Sequence, residues 1–267
     1  MDRLAGKVAV VIGAGQSPGE SIGNGRATTI RFLEEGASVL AVDRDLDSAR
    51  ETVEMAGAGV GEAFQADVRQ SDSLQAAVRS AMDRWGRIDI LHYNVGVSLA
   101  GGDQPLEEIT DEAFDRVMSI NLRGAVMVAK YVEPIMRAQR SGVILNVASM
   151  SAIETSTSLV TYRASKAGMI AFTQQLAIRN AEYGVRANVI LPGRMETAMA
   201  VDTRARLTGR PREELMAERR GQVPLQGRAG TGWDIGNAAV FLASDEAGYI
   251  TGVSLPVDGG TLVKIGW

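Results

Sequence analysis

The protein has 267 residues, of which 22% are charged and 45% hydrophobic, and its formal net charge is −4. This balance excludes a largely disordered chain and gives no basic footprint for nucleic acid. Cysteine is absent and His92 is the single histidine, which excludes disulfides, thiolate nucleophiles and metal centres built on cysteine or histidine clusters. We expect one domain over residues 1–267, no metal, no nucleic-acid partner, no membrane span and a cytoplasmic location.

The first elements of the chain predict a βαβ unit. Residues 7–12 form a continuous apolar run, which is typical of a strand buried on both faces. A glycine-rich segment, 13–25, follows it and leads into a helical pattern of apolar residues. The next strand, 38–42, is closed by Asp43.

Strand and helix patterns then alternate along the rest of the chain. Further strands are expected near 62–66, 88–93, 142–148, 185–191 and 252–257, and further helices near 46–56, 71–85, 111–136, 161–182 and 234–243. This alternation predicts an α/β fold with a single Rossmann-type, doubly wound parallel sheet flanked by helices on both faces. Residues 194–224 interrupt the alternation, so we expect a substrate lid there, the alternative being a solvated surface helix.

The glycine-rich turn after the first strand indicates a dinucleotide site. Backbone N–H groups of such a turn can approach a pyrophosphate at a helix N-terminus. The pattern G-x-G-x-x-G is not present, because Pro18 stands where a third glycine might stand, and a plain glycine-rich turn is the alternative. Asp43 can accept both ribose hydroxyls of NAD and would repel the 2′-phosphate of NADP, whereas Arg44 could favour NADP. NAD is the expected cofactor and NADP the second choice.

A tyrosine and a lysine stand four positions apart in the segment Tyr162-Arg163-Ala164-Ser165-Lys166, hence on one helix face. Ser149 precedes Tyr162 by thirteen residues, at the end of an apolar strand. At these residues the chain resembles the short-chain dehydrogenase/reductase family, whose central motif is Tyr-x-x-x-Lys with an upstream serine. Other segments match the family's motifs in order: Asp67-Val68, Leu91-His92-Tyr93-Asn94-Val95-Gly96, Asn121-Leu122-Arg123-Gly124, Asn188-Val189-Ile190-Leu191-Pro192-Gly193 and Asp258-Gly259-Gly260.

The resemblance implies a set of catalytic residues and a set that binds the cofactor. The catalytic set is Asn121, Ser149, Tyr162 and Lys166. With Asp43 and Arg44 included, the cofactor set is Gly13, Gly15, Ile22, Gly23, Asn24, Gly25, Asp43, Arg44, Asp67, Val68, Asn94, Gly96, Tyr162, Lys166, Pro192, Gly193, Met195 and Thr197. The glycine loop departs from the family's Thr-Gly-x-x-x-Gly-x-Gly, since Ile12 replaces the threonine and about six extra residues precede Gly23.

The chemistry of these side chains suggests their roles. A free tyrosine with a pKa of about 10 is a poor base near neutrality, but a lysine ammonium one turn away stabilises the phenolate. We therefore expect a lowered pKa for Tyr162, which would act as base in oxidation and acid in reduction. Ser149 would hydrogen-bond the substrate oxygen. The resemblance implies that Lys166 also binds the nicotinamide ribose, and Asn121 is expected to hold a water that links Lys166 to solvent. His92, in a buried strand pattern, is expected to be structural.

The sequence thus predicts an NAD-dependent oxidoreductase that interconverts a secondary alcohol and its ketone. Enoyl reduction is the alternative within enzymes, and the three-residue gap between the tyrosine and the lysine disfavours it. A dinucleotide-binding regulator without turnover is the alternative from another class, and the complete catalytic set argues against it. A cyclic or hydrophobic alcohol is suggested by the apolar residues expected to line the pocket, which are Leu99, Met150, Ile153, Met195 and Met199.

The helices expected at 111–136 and 161–182 are apolar over more than the roughly 100° stripe needed to cover a sheet. Their apolar residues are Val117, Ile120, Leu122, Val126, Val128, Tyr131, Ile135, Met169, Ile170, Phe172, Leu176 and Ile178, and those beyond the stripe need another surface. The resemblance implies that these helices form a dimer interface, and that dimers pair through the last strand, 253–257, and the tail 262–267. We expect a homotetramer with closed two-fold symmetry, the alternative being burial of the surplus within one chain.

Overall fold

The computed structural model describes residues 2–57, 59–155 and 158–264, and within them the centre is a seven-stranded parallel sheet. The strands are β1 Val8–Ile12, β2 Ser38–Asp43, β3 Val60–Gln65, β4 Ile90–Tyr93, β5 Gly142–Val147, β6 Val185–Pro192 and β7 Ser254–Val257. Their order across the sheet is β3-β2-β1-β4-β5-β6-β7. The order reverses between β1 and β4, so a crevice is expected beyond the carboxyl ends of these two strands.

Helices cover both faces of the sheet. They are α1 Asn24–Glu34, α2 Leu46–Ala56, α3 Ser71–Trp85, α4 Asp111–Met118, α5 Gly124–Gln139, α6 Val160–Asn180, α7 Asp202–Thr208, α8 Arg212–Gly221 and α9 Gly232–Ala243. One face packs against α1, α2 and α9, and the other packs against α3, α5 and α6. The predicted doubly wound α/β fold is therefore confirmed. Within the described residues, no helix combines the length and the apolarity needed to cross a membrane.

Strand β1 explains why the first apolar run has no polar positions. Val10 and Ile12 join the core on one face of the sheet, and Ala9 and Val11 join the core on the other. All four side chains are fully buried. Because both faces of β1 are covered, these positions are apolar. The strand ends at Ile12, and the turn that follows it lines the cavity at this edge of the sheet.

The helix expected over 111–136 is divided by a π-helical turn. Residues 119–123 form this turn between α4 and α5, and Asn121 lies within it. The extra residue of a π turn rotates the side chains around it, and such turns are frequent at functional sites. Here the turn directs Asn121 inward, where its side chain is fully buried.

Part of the apolar surplus on these helices is buried within the chain. Among the residues predicted for subunit contacts, the buried ones are Val117, Ile120, Val128, Met169 and Leu176. Those with partial exposure are Leu122, Val126, Tyr131, Ile135, Ile170 and Phe172, and Ile178 is 78% exposed. The sheet and adjacent helices cover the first group, and the second group forms the apolar surplus of these helices, whose contact with a neighbouring subunit stays a prediction. Of the tail, residues 265–267, including Trp267, lie outside the described residues.

Candidate active site

A cavity of about 880 Å³ lies at the carboxyl edge of the sheet. Its lining extends from Asp43, at the end of β2, to Lys166 on α6. Every residue predicted to bind the cofactor lines this cavity except Ile22, and Ser149 lines it as well. Asn121 lies behind the cavity wall, with no exposed surface. The fold thus brings together nearly all of the residues that the sequence motifs indicated.

The glycine-rich turn forms a cradle at the N-terminus of α1. Gly13 has a φ of +86°, and a Cβ at Gly25 would overlap the carbonyl oxygen of Gly13, so both positions require glycine. The N-cap residue Gly23 provides no side-chain cap for the helix. Its own N–H donates to the Gln16 side-chain oxygen at 2.9 Å. A narrow backbone cradle beside an uncapped helix N-terminus fits the pyrophosphate of a dinucleotide.

Asp43 is held in place at one end of the cavity by two backbone N–H groups. Gly15 donates to one carboxylate oxygen at 2.9 Å and Asp45 donates to the other at 3.0 Å. A Cβ at Gly15 would approach the Asp43 carboxylate to 3.0 Å. The glycine at position 15 therefore leaves room for the Asp43 carboxylate and fixes its position. A ribose attached to a pyrophosphate in the cradle would lie beside this carboxylate.

The Tyr162 phenol and the Ser149 hydroxyl both line the cavity, and they lie close enough for the hydroxyl to lower the pKa of the phenol. Ser149 is fixed by the N–H of Ser151, which donates to its oxygen at 3.1 Å. The Lys166 ammonium lies 5.8 Å from the centre of the Tyr162 ring and donates to the Val147 carbonyl oxygen at 2.8 Å. The loop after β5 and the helix α6 therefore bring the Ser149 hydroxyl, the Tyr162 phenol and the Lys166 ammonium into the same part of the cavity.

The pKa of Tyr162 differs from the sequence-based expectation. Burial raises it above its usual value, and the hydrogen bond from Ser149 and the charges of Arg219 and Arg204 oppose this only in part. The expectation of a lowered pKa is wrong for this structure because removal from water disfavours the phenolate. Burial also lowers the pKa of Lys166 to about 8. At neutral pH the phenol is protonated and the lysine is still mostly charged.

Asp103 is a buried residue of this site that the sequence motifs did not indicate. Its carboxylate accepts hydrogen bonds from the N–H of Tyr162 at 2.7 Å and the N–H of Thr161 at 3.2 Å. The N-cap residue of α6, Leu159, has no side chain that could do so. Asp103 therefore caps α6 from a distant loop and positions Tyr162. Its only sequence signal is its position four residues after Leu99, which is expected to line the pocket.

Asn121 supports the loop after β4. Its side-chain oxygen accepts from the Val97 N–H at 2.7 Å, and its amide nitrogen donates to the Val97 carbonyl at 2.9 Å and to the Ser165 hydroxyl at 3.0 Å. These bonds join the π turn to the loop and to α6, between Tyr162 and Lys166. The side chain acts here as a positioning residue, and the water expected on Asn121 stays a prediction.

The extra residues of the glycine loop contact residues 194–224, which we call the lid. Arg212 of α8 donates to Asp202 at 2.9 Å and to the Ser21 hydroxyl at 3.0 Å. Arg206 of α7 donates to the carbonyl oxygen of Pro18 at 2.8 Å. The longer loop therefore reaches the lid, and its residue Ile22 is not among those that line the cavity.

The expected apolar substrate region is present in part. Leu99, Met150, Met195 and Met199 line the cavity, whereas Ile153 does not and is 53% exposed. The lid adds charged residues to the same lining: Arg194, Arg204, Arg210, Glu218 and Arg219.

His92 lies in β4 and is fully buried. Burial lowers its pKa to about 3, and Phe32 packs against its ring with centroids 6.0 Å apart. Neither imidazole nitrogen has a hydrogen-bond partner among the described residues. This environment fits the structural role expected for His92.

Comparison with known proteins identifies the family. A family model described as enoyl-(acyl carrier protein) reductase matches residues 18–261. Levodione reductase of Leifsonia aquatica is 34% identical over 97% of this chain and 95% of its own length. 3beta-hydroxysteroid dehydrogenase 2 of Eggerthella lenta is 34% identical over 96% of this chain and 95% of its own length. The crystal structure of a putative short-chain dehydrogenase/reductase from Burkholderia xenovorans superposes with a TM-score of 0.92, at 40% identity and with both chains fully covered.

The chain belongs to the short-chain dehydrogenase/reductase family. It is an oxidoreductase of a family that acts on alcohols and ketones and uses nicotinamide dinucleotide cofactors.

Proposed function

We propose that this protein is an NAD-dependent dehydrogenase/reductase that interconverts a secondary alcohol and its ketone. The observation that carries the proposal is the placement of the Tyr162 phenol with the Ser149 hydroxyl and the Lys166 ammonium in one cavity, which also contains the glycine-rich turn at the N-terminus of α1. This arrangement can move a proton at a substrate oxygen, and proton transfer is what hydride chemistry at a secondary alcohol requires of the protein.

The proposed mechanism assigns one task to each side chain. Bound nicotinamide supplies the hydride acceptor or donor. Ser149 orients the substrate oxygen and stabilises charge that develops on it. Tyr162 donates its proton to the ketone oxygen in reduction and takes the hydroxyl proton in oxidation. Lys166, fixed by the Val147 carbonyl, stabilises the phenolate through its charge and holds the ribose.

The preference for NAD rests on Asp43. Two backbone N–H groups hold its carboxylate at the cavity, where it can accept hydrogen bonds from ribose hydroxyls and would repel a 2′-phosphate. Arg44 also lines the cavity and would attract that phosphate. Because two backbone N–H groups hold the Asp43 carboxylate in place, its repulsion of a 2′-phosphate should outweigh the attraction by Arg44, and NAD should be preferred.

Enoyl reduction is the second candidate, because the matching family model carries that description. Turnover separates the candidates. The protein should oxidise secondary alcohols with NAD and reduce the matching ketones with NADH, followed by NADH absorbance, and should leave enoyl thioesters unchanged. Reduction of enoyl thioesters alone would favour the second candidate. Tight NAD binding without turnover of either class would favour a dinucleotide-binding regulator.

We further propose one domain with a lid at 194–224, assembled as a homotetramer. The partly exposed apolar residues of α5 and α6 support the assembly, as does the position of β7 at an edge of the sheet. Light scattering at micromolar concentration should show four chains, and a stable 28.4 kDa species would contradict the assembly. The cytoplasmic location stays a prediction.

A further inference from the structure

Two arginines of the lid reach the part of the cavity that contains Tyr162. Arg204 on α7 and Arg219 on α8 both line the cavity and are partly buried. Their positive charges lie close enough to Tyr162 to oppose the rise of its pKa. Asp43 lies at the end of β2, three strands from β5, which is about 14 Å at the usual strand spacing. The two arginines thus lie near the reacting end of the cavity and away from the expected position of a 2′-phosphate.

Neither arginine has an ion pair within the part of the chain that the structure describes, because the nearby carboxylates pair with other arginines. The carboxylates of Glu214 and Glu218 bind Arg210, that of Glu196 binds Arg220, and that of Asp202 binds Arg212. Arg210 and Arg194 also line the cavity, and Arg194 pairs with Glu154 at 2.7 Å. Among the lid arginines that line the cavity, Arg204 and Arg219 are therefore the two without an ion pair in the described residues, and Glu196 and Glu218 act on Arg219 only as nearby charges.

Arg219 is held with its terminal nitrogens available. Its Nε donates to the Met195 carbonyl at 2.7 Å, which fixes the plane of the guanidinium. Burial and the neighbouring charges of Arg204 and Arg194 lower its pKa to about 10, against the smaller opposing effect of Glu196 and Glu218, so Arg219 remains charged at neutral pH. The partly buried guanidinium groups of Arg204 and Arg219 repel each other, and an anion bound between them would reduce that repulsion. A guanidinium presents paired N–H donors that match a carboxylate or a phosphate.

We propose that the substrate is a secondary alcohol or ketone that also carries an oxyanion, a carboxylate or a phosphate, which Arg204 and Arg219 bind. Its apolar body would lie against Leu99, Met150 and Met199, with the reacting oxygen at Ser149 and Tyr162. This inference rests on the proposed oxidoreductase function and specifies its substrate class.

Matched substrates test the inference by kinetics. A panel of hydroxycycloalkane carboxylates and their phosphate-bearing counterparts is compared with the neutral methyl amides of the same acids. We expect kcat/KM to be at least about 10-fold higher for an anionic member than for its neutral partner. In Arg204→Gln and Arg219→Gln this ratio should fall about 10-fold or more. The ratio is the readout because both substitutions also change the surroundings of Tyr162 and thus the rate with every substrate.

Arg206→Gln is the matched control. Arg206 is an exposed residue of α7 that donates to the Pro18 carbonyl, pairs with no carboxylate in the described residues and does not line the cavity, so the ratio should stay unchanged. Equal kcat/KM for anionic and neutral partners in the unchanged protein would overturn the inference while supporting the oxidoreductase function. A rise in the KM for NAD with an unchanged ratio would assign the arginines to the cofactor, which also overturns it.

Calorimetry gives a readout that does not need turnover. Cycloalkane carboxylates of several ring sizes and cyclohexyl phosphate are titrated into the protein with and without NAD, against the corresponding carboxamides. We expect at least one anion to bind at least about 10-fold more tightly than its neutral partner, and Arg219→Gln to abolish the difference. If no anion binds more tightly than its partner, or if the difference survives in both arginine variants, the inference is wrong. An anion preference in a protein that oxidises no alcohol would instead overturn the proposed function and leave the anion site standing.

Discussion

Removal of the Asp103 carboxylate should damage both folding and catalysis. This carboxylate accepts from the N–H groups of Tyr162 at 2.7 Å and Thr161 at 3.2 Å, at the first turn of α6. A hydrogen bond to a charged group contributes about 1.5–3 kcal/mol, and the second bond is long, so Asp103→Ala should lower the free energy of unfolding by about 2–4 kcal/mol. Because the same turn carries Tyr162, kcat should fall about 10- to 100-fold, the size expected for a displaced catalytic group.

Urea unfolding and initial-rate kinetics on the same preparations measure both effects. Asp103→Asn keeps one acceptor oxygen and should recover part of the stability and of kcat. Thr110→Ala is the matched control, because the Thr110 hydroxyl caps α4 by accepting from Ala113 at 3.2 Å. It should cost about 1 kcal/mol of stability with kcat unchanged. A wild-type kcat in Asp103→Ala would refute the positioning role, and equal kcat losses in both cap variants would show a general effect of stability.

Three further outcomes are expected. Asp43→Ala should weaken NAD binding and improve NADP binding in calorimetry, and an unchanged preference would show that Asp43 does not select the cofactor. Because burial raises the pKa of Tyr162, ketone reduction should be active near neutral pH and alcohol oxidation should increase toward alkaline pH; an oxidation optimum in acid would contradict this. The pKa of His92 is about 3 in the fold and 6.5 in the open chain, so the unfolded state binds the proton first as pH falls. Stability should therefore drop by about 2 kcal/mol from this group between pH 7 and pH 5, and urea unfolding of His92→Leu should show a drop smaller by that amount.

Elements with a strong periodic pattern were predictable from the sequence. Strand β1 is apolar at every position because both faces of the sheet are covered, and the helix that carries Tyr162 and Lys166 has a motif at fixed spacing. Sequence spacing also placed Asp43 at the end of β2. In each case a local rule, strand burial or helix periodicity, determines the structure.

Contacts between distant segments were not predictable in this way. Asp103 reaches α6 from 59 positions upstream of Tyr162, and Arg219 reaches the cavity from the far end of the lid. No spacing rule links such residues, because the path of the connecting loops decides whether they meet. The rise in the pKa of Tyr162 was missed for a related reason, since the spacing of Tyr162 and Lys166 in the sequence does not show the burial that raises this pKa.

The most direct test of the central claim is the transfer of deuterium from a secondary alcohol to NAD. The protein is incubated with NAD and a panel of cyclic and acyclic secondary alcohols deuterated at the carbinol carbon, and label in NADH is measured by mass spectrometry. We predict that label appears with the unchanged protein and that Tyr162→Phe slows it by about 10²- to 10⁴-fold, while NAD affinity by calorimetry stays nearly the same. Absence of label with every alcohol, or transfer at the wild-type rate in Tyr162→Phe, would contradict the account.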